Sequence, residues 1–511
     1  MVNMGSSPHP APIHILDDDS LIHVFCLYQP FISGEDEDDI ARLLGGEGEW
    51  VHARWWYNLA HVCQRWRNVI LGSASYLGVS LVCTNGTPVA DMLAHSPPLP
   101  LVIDYTELIS AEDVEEAVLA LKQRDRVLRV RFYMPVTNLQ KLIATMDEEY
   151  PILEYLIIAP LYEDTSTVLI LPETLQAPHL RHLILVGFAL PIGSRLLTTS
   201  VGLVTLGLCM KDPSTYFHPN ALLRWLSFMP QLETLAIYFF FPVPNREIER
   251  QLTRTPIITL PNLCLLWFSG VSAYLEALVH RFTTPRLEKL EIALFNQLTF
   301  SVPRLVQFMN TTENLRFDTA KFLFDYERVH VEVYPPGEAK MKAAFIINVH
   351  CWHLDWQVSS VAQIFNLLGH LFSAVEHLTF EHKVHIWSSE EHNEVDRTEW
   401  RKLLRPFRNV KTLYIGNGLV EQLSRCLDLE DGELPLELLP ELQELTYSGS
   451  GNTGDTFTSF INARQNADRA ITLFRRSPSP GSVHVPSEHS ERSERSSITR
   501  ASSEAGNDFD T

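Results

Sequence analysis

The sequence predicts an α/β protein: a small helical unit, then an irregular solenoid of parallel strands with outer helices, then a disordered C-terminal tail. Three observations carry this. The pattern apolar-x-x-apolar-x-apolar recurs through the middle of the chain, a proline stands two residues before several of its copies, and both ends differ in composition from the body between them.

The helical unit is expected over residues 12–78. In Leu16 to Phe25, Asp17 to Ser20 supply cap residues and negative charge at the positive end of a helix. Leu21, Val24 and Phe25 then fall on one face at i, i+3 and i+4, the spacing of a short amphipathic docking helix that ends near Gln29. From Pro30 to Trp50, seven carboxylates stand against Arg42 alone, among four glycines. Such a stretch buries too little apolar area to offset its ordering entropy, so it reads as a mobile acidic loop. Trp56 to Ile70 returns to helical spacing, with Leu59, Val62, Cys63, Trp66, Val69 and Ile70 stacked before Gly72.

The solenoid is expected over residues 79–474. Its pattern appears at Val127-Val130-Phe132, Leu153-Leu156-Ile158, Leu180-Leu183-Leu185, Leu203-Leu206-Leu208, Leu232-Leu235-Ile237, Leu263-Leu266-Phe268 and Leu287-Leu290-Ile292, with starts 26, 27, 23, 29, 31 and 24 residues apart. It returns at Val375-Leu378-Phe380, Val410-Leu413-Ile415 and Leu442-Leu445-Tyr447, now spaced by 35 and 32. The period of two within each copy specifies a strand with alternate side chains inward. Pro178, Pro230, Pro261, Pro285 and Pro440 each stand two residues before the leucine that opens a copy, where a proline ends a helix. Asp318 to His353 does not scan, so the array is either irregular there or interrupted by an insertion carrying Tyr334-Pro335-Pro336-Gly337. The tail, 475–511, holds ten serines, mixed charges and almost no large apolar residue. It is expected to be disordered, with Ser477-Pro478 and Ser479-Pro480 beside Arg475 and Arg476 as places where phosphate would find a cation.

The repeated pattern resembles the leucine-rich-repeat family, which implies an arc of parallel strands, although the Asn or Cys that family members place after the strand is mostly absent. The N-terminal unit resembles the F-box family. Leu16, Asp18, Asp19, Leu21, Ile22, Val24 and Phe25 match the first half of its motif, and Val62, Cys63, Arg65, Trp66 and Arg67 match the Val-Cys-x-x-Trp half. Asp17 stands where the family has proline, and the connection between the halves is about 25 residues longer than usual, an insertion whose closure entropy grows only with the logarithm of its length. The segment Leu81 to Val89 resembles one that follows the box in F-box proteins of mushroom-forming fungi. The resemblance implies a substrate receptor of a Skp-cullin-F-box ubiquitin ligase, with Leu16, Leu21, Ile22, Phe25, Val62, Cys63 and Trp66 binding the Skp adaptor and, through it, cullin. A receptor of this kind has no catalytic residues, metal or cofactor. The alternative is a repeat scaffold without a ligase, in which the helices only cover the first apolar face of the array.

A protein substrate would meet the concave side of the strands, where alternation places Tyr155, Ile157, Ile184, Tyr238, Trp267 and Tyr414. That row is too apolar for plain solvent, and closure by the chain's own segments is the competing expectation.

Other chemistry is not indicated. A formal charge of −21 argues against nonspecific nucleic-acid binding, which needs clustered Lys and Arg. Seven dispersed cysteines, no two closer than 20 positions, specify reduced thiols rather than a disulfide lattice or a zinc clip. No phosphate-loop, zinc-protease or serine-hydrolase motif occurs, and Gly416-Asn417-Gly418 reads as a turn. Cys351, His353 and Asp355 would share a strand face in a ligand-like way, but with His350, His377, His382, His385 and His392 they fit no closed set of four ligands. No apolar run spans a bilayer and no secretory signal precedes Pro12, so the expected setting is soluble and intracellular, in cytoplasm or nucleus, and the acceptor sequences at Asn85 and Asn310 carry no glycan there.

Overall fold

The computed structural model describes residues 16–28, 54–106, 110–161, 167–191, 193–242, 257–295, 297, 299–312, 314–337, 342–383, 394–416, 418–429, 436–448 and 456–476. The acidic segment 30–50 and the tail from 477 lie outside them.

Five copies of the repeat begin with the same backbone turn. The N–H of Leu180, Leu232, Leu263, Leu287 and Leu442 donates to the carbonyl three residues back, at Ala177, Met229, Leu260, Thr284 and Leu439. In each case the proline occupies the second position of that turn, where its fixed φ is already correct. Pro151 does the same between Tyr150 and Leu153. The prolines therefore start the strand segment as well as stopping what precedes it. Every residue of the ten apolar triplets is buried, in one continuous core between the strands and the outer helices.

Sixteen strands form one sheet among the described residues. We number them β1 (Leu81–Cys83), β2 (Leu101–Thr106), β3 (Val127–Met134), β4 (Tyr155–Pro160), β5 (His182–Val186), β6 (Thr205–Met210), β7 (Thr234–Phe239), β8 (Leu265–Gly270) and β9 (Lys289–Phe295). There follow β10 (Thr319–Phe324), β11 (Arg328–Tyr334), β12 (Phe345–His350), β13 (His377–His382), β14 (Thr412–Ile415), β15 (Glu444–Ser448) and β16 (Thr472–Arg476). From β1 to β9 each strand pairs in parallel with the next in sequence, and the same holds from β13 to β16. The last strand runs to Arg476, so Arg475 and Arg476 belong to the sheet rather than to the tail.

The segment that does not scan is an inverted meander. β12 pairs with β9, β11 lies antiparallel between β12 and β10, and β10 pairs in parallel with β13. The chain thus leaves β9 for a strand three places onward, works backwards, and crosses again to β13. The return spans roughly 14 Å at about 4.8 Å per strand. It is made by helix Leu354–Leu367, whose 14 residues are the most of any helix described and give roughly 21 Å of length. β11 is the one antiparallel strand in an otherwise parallel sheet, a departure from the all-parallel expectation. Phe322 and Phe324 of β10 and Phe380 of β13 pack with Phe365, Phe407 and Trp400 as one aromatic group, with ring centroids 5.0 to 6.5 Å apart.

Candidate protein-interaction surfaces

The helical unit consists of α1 (Asp18–Tyr28), α2 (Trp55–Ala60) and α3 (Gln64–Gly72). The single helix expected over 56–70 is broken at His61 to Cys63, because Cys63 is an N-cap with extended backbone. Its sulfur accepts from the Trp66 N–H at 3.5 Å. Spacing alone cannot separate an apolar helix position from this cap, since both put cysteine three residues before tryptophan. Trp66, half-buried, meets the Phe25 ring edge-on at 5.0 Å. Arg65, absent from the expected site, clamps the two halves of the motif: its Nε and Nη2 donate to Asp18 Oδ1 at 3.0 and 2.8 Å, and Nη2 also reaches the Leu16 carbonyl.

Leu21 and Phe25 are fully buried, so they are core and offer an adaptor no surface. Val24 does not share their face; it is exposed, as are Leu16, Leu27, Tyr28 and Val62, while Ile22 and Cys63 are half-buried. A stripe at i and i+4 suffices because α1 packs mainly against α3. The unit is fastened to the start of the solenoid by Trp56 Nε1 donating to the Ser80 carbonyl at 3.1 Å and by Arg54 donating to Thr84 Oγ1 at 2.7 Å.

On the concave face, strand register puts Asp104, Arg131, Ile157, Ile184, Gly207, Ala236, Trp267, Glu291, Ile346, Glu332, Lys321, Thr379 and Tyr414 in one transverse row. Tyr155, Ile157, Tyr238, Trp267 and Tyr414 are half-buried there, neither closed over nor fully open. Ile184 is the exception at 3% exposure. It leans over Gly207, where a Cβ would lie 3.2 Å from its Cγ1, so it fills the sheet surface instead of projecting from it.

The polarity of this face changes along the arc. Between β3 and β6, Arg129 covers the Tyr155 ring at 4.3 Å, Tyr155 stacks on His182 at 4.1 Å, and His182 Nδ1 meets Thr205 Oγ1 at 3.1 Å. Burial, helped by Arg181 and Arg129, pulls the His182 pKa down to about 4, so this ladder carries a neutral imidazole at pH 7. From β9 onward the face is charged but internally paired, by Lys289 with Glu291 and by Lys321 with Glu381.

His330 anchors the charged part. Its Nδ1 lies 2.7 Å from Asn348 Oδ1, its Nε2 lies 3.2 Å from Glu332 Oε1, and Tyr334 donates to Glu332 Oε2 at 2.7 Å. Burial alone would depress the His330 pKa, but the bonds to Glu332 and Asn348 outweigh it and raise the value above 6.5. Glu332 is held down to about 2 by His330 and Tyr334 against the cost of burial. The histidine contribution to stability is complete below pH 6.5 and is lost as pH rises through its folded value; the glutamate contribution is complete above pH 4.5 and is lost as pH falls towards 2. Glu332→Gln is therefore expected to lower the urea midpoint most between pH 4.5 and 6.5, and progressively less towards pH 8. A deficit that is the same at every pH would show that the pair has no charge coupling.

All seven cysteines are free, and desolvation pushes the Cys83, Cys209 and Cys351 thiols up to about 12. Cys351, His353 and Asp355 do not share a strand: β12 ends at His350 and Asp355 lies in the first turn of helix Leu354–Leu367. Among the described residues no group of three His, Cys, Asp or Glu side chains is placed to hold a metal, and no helix is long and apolar enough to cross a membrane. His385, His392 and Asn417 lie outside the described residues.

No protein-family model matches the chain, and no curated protein does. Among solved structures it is similar to the chain of a TLR13–ssRNA13 complex, at 14% identity and a TM-score of 0.30, over 78% of this chain and 50% of that one. The chain thus spans half the length of that protein. It is also similar to LegL7, a leucine-rich repeat-containing protein from Legionella pneumophila, at 10% identity and a TM-score of 0.25, over 78% of this chain and 91% of that one. The strands, turns and core described above are in their own right those of a leucine-rich-repeat-like solenoid.

Proposed function

We propose that this chain is a non-catalytic substrate receptor of a Skp-cullin-F-box ubiquitin ligase, with α1 to α3 docking the Skp adaptor and the solenoid binding a protein target. The observation that carries this reading is how the two matched motif halves meet. Cys63 caps α3, Arg65 ties it to Asp18, Trp66 packs on Phe25, and Leu16, Val24, Leu27, Tyr28 and Val62 remain exposed beside them. A unit that only covered the end of a solenoid would not need so many open apolar side chains. The receptor would act by position alone, raising the local concentration of a target lysine near the charged thioester.

A second reading, a repeat scaffold with no ligase, draws on the continuity of Leu21, Phe25, Trp56, Leu59 and Ile70 with the solenoid core, as in a terminal cap. Co-purification with a recombinant Skp adaptor separates the two. The whole chain is expected to bind it. Replacing Val24 and Leu27 together by Asp, both exposed, is expected to weaken binding about thirtyfold, the effect of losing about 2 kcal/mol at an interface centre, without altering the fold. A folded wild-type chain that does not bind the adaptor leaves the scaffold reading standing.

A further inference from the structure

The inverted meander brings together two short loops that an ordinary repeat array would not have. One is the two-residue turn between β10 and β11, where Asp325 N–H donates to the Arg328 carbonyl at 2.9 Å and Tyr326 and Glu327 form the tip. The other joins β12 to helix Leu354–Leu367 and carries Trp352 and His353. Three large aromatic side chains stand out from these loops and the first turn of that helix: Tyr326 is 46% exposed, Trp352 68% and Trp356 48%. Tyr326 and Trp352 meet across the loops at 6.2 Å, and His353 sits edge-on to Trp356 at 4.8 Å.

These loops are fixed from beneath. Gln357, almost completely buried, donates from Nε2 to the Asp325 carbonyl at 2.6 Å and to the Cys351 carbonyl at 2.8 Å, so one amide ties both together. Exposed aromatic rings on a preorganised frame lose little further entropy on binding, which is why such residues dominate interface energetics.

The polar surroundings favour one sign of partner. Asp325, Glu327 and Asp355 flank the rings, and Glu327 holds the Tyr326 hydroxyl. Asp355 also offsets the positive end of its helix. The cationic neighbours are Arg328 and Lys383, whose N–H donates to the Phe324 carbonyl at 2.9 Å, and burial lowers the pKa of the nearby His350. The whole chain adds a net charge of −21, a field that draws cations in from a distance.

We propose that Tyr326, Trp352 and Trp356 form a docking surface for a basic segment of a partner protein, whose Lys or Arg side chains lie over the ring faces and against the flanking carboxylates. Cation–π attraction and charge pairing then act on the same side chains. This stands whether or not α1 to α3 dock an adaptor, because it uses neither those helices nor the concave row.

The test uses the full chain, with tryptophan fluorescence and calorimetry as readouts. Four probes are titrated: a short extended peptide rich in Lys and Arg, its Glu counterpart, an uncharged Gly/Ser version, and phosphatidylcholine vesicles. The basic peptide is expected to bind, with affinity falling as salt rises. Replacing Trp352 and Trp356 together by Ala is expected to weaken it about tenfold or more while leaving the circular dichroism and melting curve unchanged, since both rings lie outside the core. Failure of the basic peptide to bind overturns the proposal, as does equal binding of the acidic or uncharged peptide, preferential binding of vesicles, or full affinity in the double variant.

Discussion

Arg131→Met is expected to remove about 3–5 kcal/mol of stability from the N-terminal repeats. Arg131 and Asp104 are 7% and 8% exposed, on neighbouring strands of the concave face. They form a two-pronged pair, Nε to Oδ1 at 2.7 Å and Nη2 to Oδ2 at 2.8 Å. Removing the guanidinium strands a carboxylate where little water reaches it, and that stranded charge accounts for most of the loss. The double replacement Asp104→Leu with Arg131→Met should recover most of it, because two apolar groups of similar volume leave nothing unpaired. Urea unfolding of the wild type and the two variants checks both statements. If the double variant is as unstable as the single one, the pair has a structural role beyond its own charges.

Phe322→Ala is expected to cost about 3–5 kcal/mol, the range for deleting a fully buried aromatic side chain from a core. Phe322 is fully buried and lies 5.0 Å from both Phe365 and Phe380, so it touches the helix that returns from the meander and the strand on which the array resumes. The loss should therefore appear in the C-terminal strands, as faster amide exchange from β13 to β15 than from β3 to β8. An even increase along the whole sheet would mean that the meander does not separate two cooperative regions.

Much of the solenoid is legible in its residues because most strands bury one face and leave the other half-open, which writes period two into the sequence. Where both faces are covered, the period survives only if small or polar residues take alternate positions, as Thr205, Gly207 and Cys209 do in β6. β2 has Leu101, Val102, Ile103, Asp104 and Tyr105 all buried, so it shows no alternation and is not found by the repeat pattern. The meander escapes for another reason. Its strands alternate well, as in Arg328-Val329-His330-Val331-Glu332-Val333, but alternation fixes which side faces the core and says nothing about strand direction or order. In the helical unit, the motif residues were legible but their division was not. Leu21 and Phe25 turn inward and Val24 outward because of the position of α3, a tertiary fact that helical spacing cannot supply.

The meander also bears on how the chain reaches its fold. In the regular part of the array, Leu206 meets Leu235 on the next strand, a connection of about 29 residues. At the meander, Leu290 must find Phe345 and Thr319 must find His377, connections of about 55 and 58. The added closure entropy is small, about 0.6 kcal/mol for each doubling of loop length. The kinetic consequence is larger, since non-local pairing slows the search and a growing stack can no longer add repeats in the order of the chain. Strands β1 to β9 can add in the order of the chain and so can β13 to β16, but the second set joins the first only through β10 to β12 and the crossover made by helix Leu354–Leu367. That helix is the gate through which one half of the protein recruits the other.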